Sequence, residues 1–449
     1  MEIRELPWPA TSEVYRKLAQ DVIKAYKSGD SQSLKSLEDH FKSEETLTRD
    51  SIRTGIKRRI RKLAKSKWEN KNTSFLTRLK NLISVLLGQF KVFNIQDAEL
   101  LIAREYGFNS FGELVLYIEN VKNKTSTISV FELAVDAIVT GDLLTLERLL
   151  GENPGLIRSR SKRIHQATLL HYSSANGVED FRQKTPKNAV EILKFLLRSG
   201  ADVDAVLADG ESTTLGLVAT SIHPLEAGLQ NQMLEVLLDA GASVNGKPGG
   251  WNPLRAALAN GRGMSAEFLA NRGANLDLEA AAGVGRVDMV ENFFNADGSL
   301  KRNTTKEQMT SGFAWACEYG RTSVVELLLK KGIDINTYLK HSGQTALHWA
   351  AYGAHPDTVK LLLDNNATVN ARDKAFDGTP LGWALYGWVE SSPEFNCNDY
   401  YDVVKLLVAA GATVNPEWLE DPTRELPLVK KIQADSKMLS ALNGNLSFN

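Results

Sequence analysis

The amino-acid sequence predicts an all-α fold, in which a solenoid of helix-turn-helix repeats follows a helical N-terminal cap region. One pattern recurs from about residue 128: an Ala-rich helix, a turn, a Leu-rich helix and a closing Gly-Ala-x-Val-Asn motif. The Leu-rich segments place apolar residues at the spacing of a core-facing helical stripe. The closing Gly suits the left-handed conformation that commonly ends a helix. Together these features predict stacked helical pairs.

The repeat is clearest in its closing motifs. They read GADVD, GASVN, GANLD, GIDIN, NATVN and GATVN, and they end at residues 204, 245, 277, 336, 370 and 415. The longest interval runs from residue 277 to residue 336 and contains a degenerate repeat at Leu278–Phe294. Because one helical pair cannot bury its apolar face alone, we expect the pairs to stack on one another.

The segment Gly343–Asp373, GQTALHWAAYGAHPDTVKLLLDNNATVNARD, resembles the consensus of the ankyrin-repeat family, including its Thr-x-Leu-His helix start. About eight such units fit between residues 128 and 415. The segments Glu13–Phe41 and Asn94–Glu119 are similar to the helical leader of a group of bacterial ankyrin-repeat proteins, which implies a cap on the first repeat. The resemblance implies a fold, but a fold does not determine chemistry.

The sequence therefore predicts three regions. Residues 1–125 form a helical N-terminal region with a basic insertion at about 46–93, residues 126–415 form the ankyrin-repeat solenoid, and residues 416–449 form a C-terminal cap and tail. The net charge of −1 conceals an asymmetry, because residues 1–125 carry 23 basic and 16 acidic side chains while the remainder is acidic. Such a split suggests two functional halves.

The composition excludes several protein classes. No apolar run approaches the roughly 20 residues that cross a bilayer, and the N-terminus MEIRELPWPA lacks the basic start and apolar stretch of a signal peptide. The two cysteines, Cys317 and Cys397, are too few for a disulfide framework or a four-cysteine zinc site. We therefore expect a cytoplasmic protein without a membrane partner.

Candidate partner-binding residues follow from the family register. In this family the two positions after the paired alanines of the first helix face the groove, and in the later repeats these positions carry Glu, Tyr or Gly. The tryptophans one step earlier, at 315, 349 and 383, are interpreted as packing residues. Groove positions need no large side chain for folding, so aromatic residues there favour partner contact. The predicted partner-binding residues are Glu318, Tyr319, Tyr352, Tyr386 and Trp388.

The function that this pattern favours is non-catalytic recognition of another protein or peptide. The alternative is a small-molecule-binding or catalytic groove lined by Tyr and Trp and closed by three long loops, Val178–Asn188, Ile222–Gln230 and Trp388–Tyr400. The same loops are also explained as tolerated surface insertions. The sequence contains no His-Glu-x-x-His pair, nucleophile elbow or Walker loop, so we expect no cofactor and no metal.

A second alternative rests on the basic segment. Residues 49–80 contain 12 basic and two acidic side chains, and several of the cations recur at helical spacing. Clustered cations of this kind bind phosphates, although a solvated helix face, or a helix that pairs with the protein's own acidic repeats, explains them more simply. The sequence therefore leaves open a nucleic-acid-associated regulator or another anionic partner, with the candidate contacts Arg53, Lys57, Arg58, Arg61, Lys62 and Lys65.

Overall fold

The computed structural model describes residues 10–28, 94–339, 343–374, 376–389, 395–413 and 427–443. Within these ranges every regular element is a helix, and the only strand-like pairings are isolated bridges that close short loops. The predicted all-α fold is confirmed for this part of the chain. The same ranges contain no helix that is long and apolar enough to span a bilayer. The chain divides into two compact units, Met1–Pro253 and Leu254–Asn449.

The described residues of unit 1 form three N-terminal helices followed by three helical pairs. The first three are α1 (Ser12–Ser28), α2 (Ile95–Glu105) and α3 (Phe111–Lys122). The pairs are α4 (Thr127–Thr140) with α5 (Leu143–Glu152), α6 (Leu169–Tyr172) with α7 (Ala189–Arg198), and α8 (Thr214–Thr220) with α10 (Gln230–Asp239). A short helix, α9 (Ile222–Glu226), lies between the last two, and 3₁₀ turns span Pro154–Arg158 and Asp180–Arg182.

Side-chain caps explain where several helices of unit 1 begin. Asn94 and Asp97 exchange hydrogen bonds with each other's backbone amides at the start of α2, and Ser126 accepts from a backbone amide at the start of α4. Helix α1 packs on α2, where the rings of Tyr15 and Tyr106 meet edge to face with centroids 4.9 Å apart. Together with α3 these helices enclose an apolar core.

Unit 2 is built from five helical pairs and two closing helices, counted over its described residues. The pairs are α11 (Pro253–Ala259) with α12 (Gly263–Asn271), α13 (Leu278–Gly283) with α14 (Val287–Glu291), α15 (Lys306–Glu318) with α16 (Thr322–Lys330), α17 (Ala346–Tyr352) with α18 (Pro356–Asp364), and α19 (Pro380–Val389) with α20 (Asp399–Ala409). The closing helices are α21 (Pro427–Ala434) and α22 (Ser436–Leu442).

Corresponding helices of successive pairs in unit 2 pack on each other. Helix α13 contacts α15, α15 contacts α17, and α17 contacts α19, while α16, α18 and α20 form a second row. Fully buried alanines, Ala281, Ala350 and Ala384, lie where the first-row helices meet, because a small side chain permits close approach. Met438 and Leu442 of α22 extend the same core beyond α20.

A Thr-x-x-His motif fixes the start of a first-row helix to the next loop. Nδ1 of His348 accepts a hydrogen bond from the backbone N–H of Thr345 at 3.1 Å, and Nε2 of the same ring donates to the carbonyl of Gly378 at 3.1 Å. His171 makes equivalent bonds in unit 1. The ring of His348 therefore joins the start of α17 to the loop before α19.

Candidate functional site

Six aromatic side chains of unit 2 converge in what we call the aromatic surface. Helix α17 supplies the first two, α19 supplies their counterparts in the next repeat, and the loops before α19 and α20 supply one each. Stacked repeats place corresponding positions side by side, so similar side chains in two repeats become neighbours. The members of the aromatic surface are Trp349, Tyr352, Phe376, Trp383, Tyr386 and Phe395.

The rings of the aromatic surface pack mainly edge to face. The centroid of Trp383 lies 5.3 Å from that of Trp349, 5.7 Å from Tyr352 and 5.7 Å from Phe376. The rings of Tyr352 and Tyr386 are nearly parallel, with centroids 6.4 Å apart. Each such pair contributes about 0.5–1.5 kcal/mol beyond area burial. The surface is therefore ordered by its own contacts.

A buried carboxylate ties the aromatic surface to the loop beside it. Asp373 accepts hydrogen bonds from the indole Nε1 of Trp383 at 2.9 Å, from the backbone N–H of Phe376 at 2.8 Å and from that of Gly378 at 3.0 Å. Hydrogen bonds to an ionised acceptor are stronger than neutral ones. Asp373 therefore positions both Trp383 on α19 and Phe376 in the loop before α19.

Two of the six rings are open to solvent. Phe376 is 60% exposed and Tyr386 is 50% exposed, whereas Tyr352 and the two tryptophans are partly buried. Tyr352 and Tyr386, both predicted partner contacts, are neighbours in this surface. The tryptophans at 349 and 383, interpreted from sequence as packing residues, pack as expected and also form part of the same surface.

The structure corrects the positions of the other three predicted contacts, which lie in the interior. Tyr319 is 6% exposed, and its hydroxyl donates to the carbonyl of Leu258 near the end of α11, so this large side chain does serve folding. Glu318 is buried, and its backbone carbonyl accepts a hydrogen bond from the ring of His355. Trp388 is 4% exposed and is covered by the ammonium group of Lys431, 4.6 Å from its ring.

The predicted anionic-partner contacts, all in the basic segment, lie outside the described residues. The sequence reasoning missed Asp373 and Phe376. A signal for Phe376 existed, because it is the only large apolar residue in the polar turn RDKAFDGTP. No sequence signal distinguished Asp373 from the many surface carboxylates.

A second cluster, also missed, lies inside unit 1. We call it the charge ring, and its members are Glu132, Arg163, Glu179 and Arg182. Arg163 contacts Glu132 at 3.0 Å and also pairs with Glu179, while Arg182 contacts Glu132 at 2.8 Å and approaches Glu179 at 3.9 Å. All four side chains are at most 3% exposed. Positive and negative charges thus alternate around a closed, buried circuit.

The charges in the ring control the ionisation of their neighbours. Burial raises the pKa of the Glu132 carboxyl, but Arg163 and Arg182 outweigh burial and hold that pKa well below its usual range. Burial, assisted by the positive charge of Arg163, lowers the pKa of His165 to about 3. Glu132 therefore stays ionised at neutral pH, and the imidazole of His165 beside it stays neutral.

Comparisons with known proteins identify a repeat family in part of unit 2. Residues 278–373 match the family model described as Ankyrin repeats (3 copies). The crystal structure of the human ASB11 ankyrin repeat domain is similar at 21% identity, covering 63% of this chain and 99% of that chain, with a TM-score of 0.33. No curated protein matches the chain. The matched segment runs from the start of α13 to the loop after α18. Residues 278–373 of this all-α chain are therefore ankyrin repeats.

Proposed function

We propose that this protein is a non-catalytic recognition scaffold, and that the aromatic surface binds a segment of another protein. Ankyrin repeats generally mediate protein–protein interaction. The single observation that carries the proposal is the pair of half-open rings, Phe376 and Tyr386, on a set of aromatic side chains that already pack against one another. Binding energy concentrates in such preordered aromatic anchors.

The area of the open rings is sufficient for a useful affinity. An aromatic side chain buries about 150–250 Å², so covering the open half of Tyr386 removes roughly 100 Å² from water. At about 25 cal/mol per Å² this corresponds to roughly 2.5 kcal/mol before the costs of association. Phe376 adds a similar amount, so the two rings together fit the role of binding anchors.

The ionisable groups around the aromatic surface favour recognition over catalysis. Both ring nitrogens of His348 are engaged in hydrogen bonds, and Nε2 of His355 donates to a backbone carbonyl at 2.8 Å. Asp373 accepts from an indole and two backbone amides. A general acid or base needs a free position within reach of substrate, and these groups are instead used to hold the fold.

Peptide selection tests the proposal directly. Peptides are selected from a displayed random library on the full chain, and their affinities are then measured for the wild type and for the double variant Phe376→Ala/Tyr386→Ala. We expect the double variant to bind at least about tenfold more weakly, the effect of losing about 1.4 kcal/mol. Because both side chains are largely exposed, the circular dichroism spectrum should not change.

The matched control is Trp251→Ala. This tryptophan is 58% exposed and lies in unit 1, outside the aromatic surface. We expect it to bind the selected peptides like the wild type. Selected peptides that bind the double variant and the wild type equally would contradict the assignment of this surface.

Further proposals follow from the remaining sequence predictions. We propose that the basic segment around Arg53–Lys65 binds an anionic partner, which a retention assay on nucleic acid at two salt concentrations tests. The two described cysteines are not joined in a disulfide, which supports a reducing, cytoplasmic location that fractionation of the host cell tests. We also propose a bacterial origin and the region boundaries at residues 125 and 415, on the sequence pattern alone.

A further inference from the structure

Arg163 connects the N-terminal helices of unit 1 to its first repeats. Its Nη1 donates to the carbonyl of Tyr106 in the turn between α2 and α3, at 3.2 Å, and its guanidinium lies 5.0 Å from the ring centroid of Tyr117 on α3. The next residue, Ile164, donates its backbone N–H to Gly107 in the same turn at 2.9 Å. The loop before α6 therefore contacts the α2–α3 turn through side chain and backbone.

The long loop between α6 and α7 contacts the same turn. We call residues 178–188 the strap. It supplies two members of the charge ring, and the ring of its Phe181 lies 6.3 Å from that of Tyr106. At the other end of the strap, the side-chain amide of Asn188 donates a hydrogen bond to the backbone carbonyl of Gly141, which follows α4, at 2.9 Å. The sequence predicts a groove lid or a tolerated insertion here, yet the side chains of Glu179 and Arg182 point into the interior.

The charge ring is fully paired only when α4, the loop before α6 and the strap are in their observed arrangement. Glu132 belongs to α4, Arg163 to the loop before α6, and the other two charges to the strap. Tyr117 of α3 joins the circuit by donating to Glu132 at 2.6 Å. A shift of any one segment leaves a buried charge without its partner, which costs far more than the loss of an exposed ion pair. In some proteins, buried charged or polar groups specify register rather than add stability.

We propose that the charge ring and the strap form a lock that holds α2 and α3 in one register on the first repeats of unit 1. The N-terminal helices, α4 and the strap then open together, as one cooperative unit. All residues of the lock belong to unit 1, whereas the aromatic surface belongs to unit 2.

Hydrogen exchange on the full chain tests the lock. Arg163→Met keeps the apolar stem and removes the charge. We expect amide exchange to accelerate at least about tenfold in residues 94–122 and 178–188, while α17 and α18 of unit 2 exchange like the wild type. The matched control is Arg148→Met, which removes an exposed arginine paired with Glu152 on α5 and should change neither segment.

Two further variants separate the lock from general damage. Arg163→Met/Glu179→Gln removes one charge of each sign, so it should recover part of the protection that the single variant loses. Phe181→Ala leaves all four charges in place and should accelerate exchange in 94–122 through loss of the strap contact. The proposal is overturned if 94–122 stays as protected as in the wild type in Phe181→Ala, or if the double variant exchanges faster than the single one.

Discussion

His355 should make unit 2 sensitive to mild acid. Its ring is partly buried beside Phe395, and Nε2 donates to the backbone carbonyl of Glu318 at 2.8 Å. Burial is the main reason that the pKa of His355 falls from 6.5 to about 4. The hydrogen bond to the Glu318 carbonyl raises this pKa, and the charge of Arg321 lowers it. The imidazole is therefore neutral in the folded protein at a pH where the unfolded chain already binds a proton.

The sign and size of the effect follow from proton linkage. Because the folded pKa lies below the unfolded pKa, stability is complete above pH 6.5 and is lost as the pH falls towards 4. With these two pKa values, one histidine costs up to about 2 kcal/mol of unfolding free energy at pH 5. This loss is measurable against an ordinary stability of about 5–15 kcal/mol.

The assay compares the wild type with His355→Gln, whose amide can still donate to the carbonyl. Urea unfolding is followed by tryptophan fluorescence at pH 8, 7 and 5. The difference in unfolding free energy between the wild type and the variant should be constant from pH 8 to pH 7. At pH 5 it should shift by up to about 2 kcal/mol against the wild type. The other histidines are present in both proteins, so their contribution to the pH dependence is removed by the comparison. An unchanged difference at pH 5 would refute the buried, neutral state of His355.

Other perturbations probe packing and thiol accessibility. Gly353→Ala places a methyl group against a backbone carbonyl of the preceding repeat and should cost about 1–3 kcal/mol in urea unfolding. Gly151→Ala, in an open position on α5, should instead stabilise by about 0.4–1 kcal/mol, and equal effects would contradict the packing. In a thiol-reagent assay Cys397 should react in the native protein, whereas Cys317, buried and with a raised pKa, should react only after denaturant is added.

Local patterns explain why so much of the repeat architecture was predictable. A glycine with left-handed backbone, such as Gly332 at a φ of 83°, ends the second helix of a repeat as expected, and Asn366 does the same at 66°. The degenerate repeat at Leu278–Phe294 is also a helical pair. These features depend on residues close together in the chain, so their spacing is visible without a structure.

The candidate site was only partly predictable. The rings of Tyr352 and Tyr386 are neighbours, because like positions of stacked repeats lie side by side. The repeat register placed Tyr319 in the groove, whereas the side chain is buried. The register predicts the direction of a side chain, but it does not show how far the neighbouring helices extend. Here the Tyr319 hydroxyl donates a hydrogen bond to the backbone carbonyl of Leu258 near the end of α11, and the side chain is buried.

The sequence alone determined the helical pairs, their order and the presence of aromatic side chains in successive repeats, since these depend on local periodicity. Only the tertiary structure decided which of those rings stay open to solvent and which are buried. It also decided that a polar loop turns inward to complete a circuit with Glu132, 47 residues before Glu179 in the chain. Burial and charge pairing depend on segments far apart in sequence, and no local pattern encodes where those segments meet.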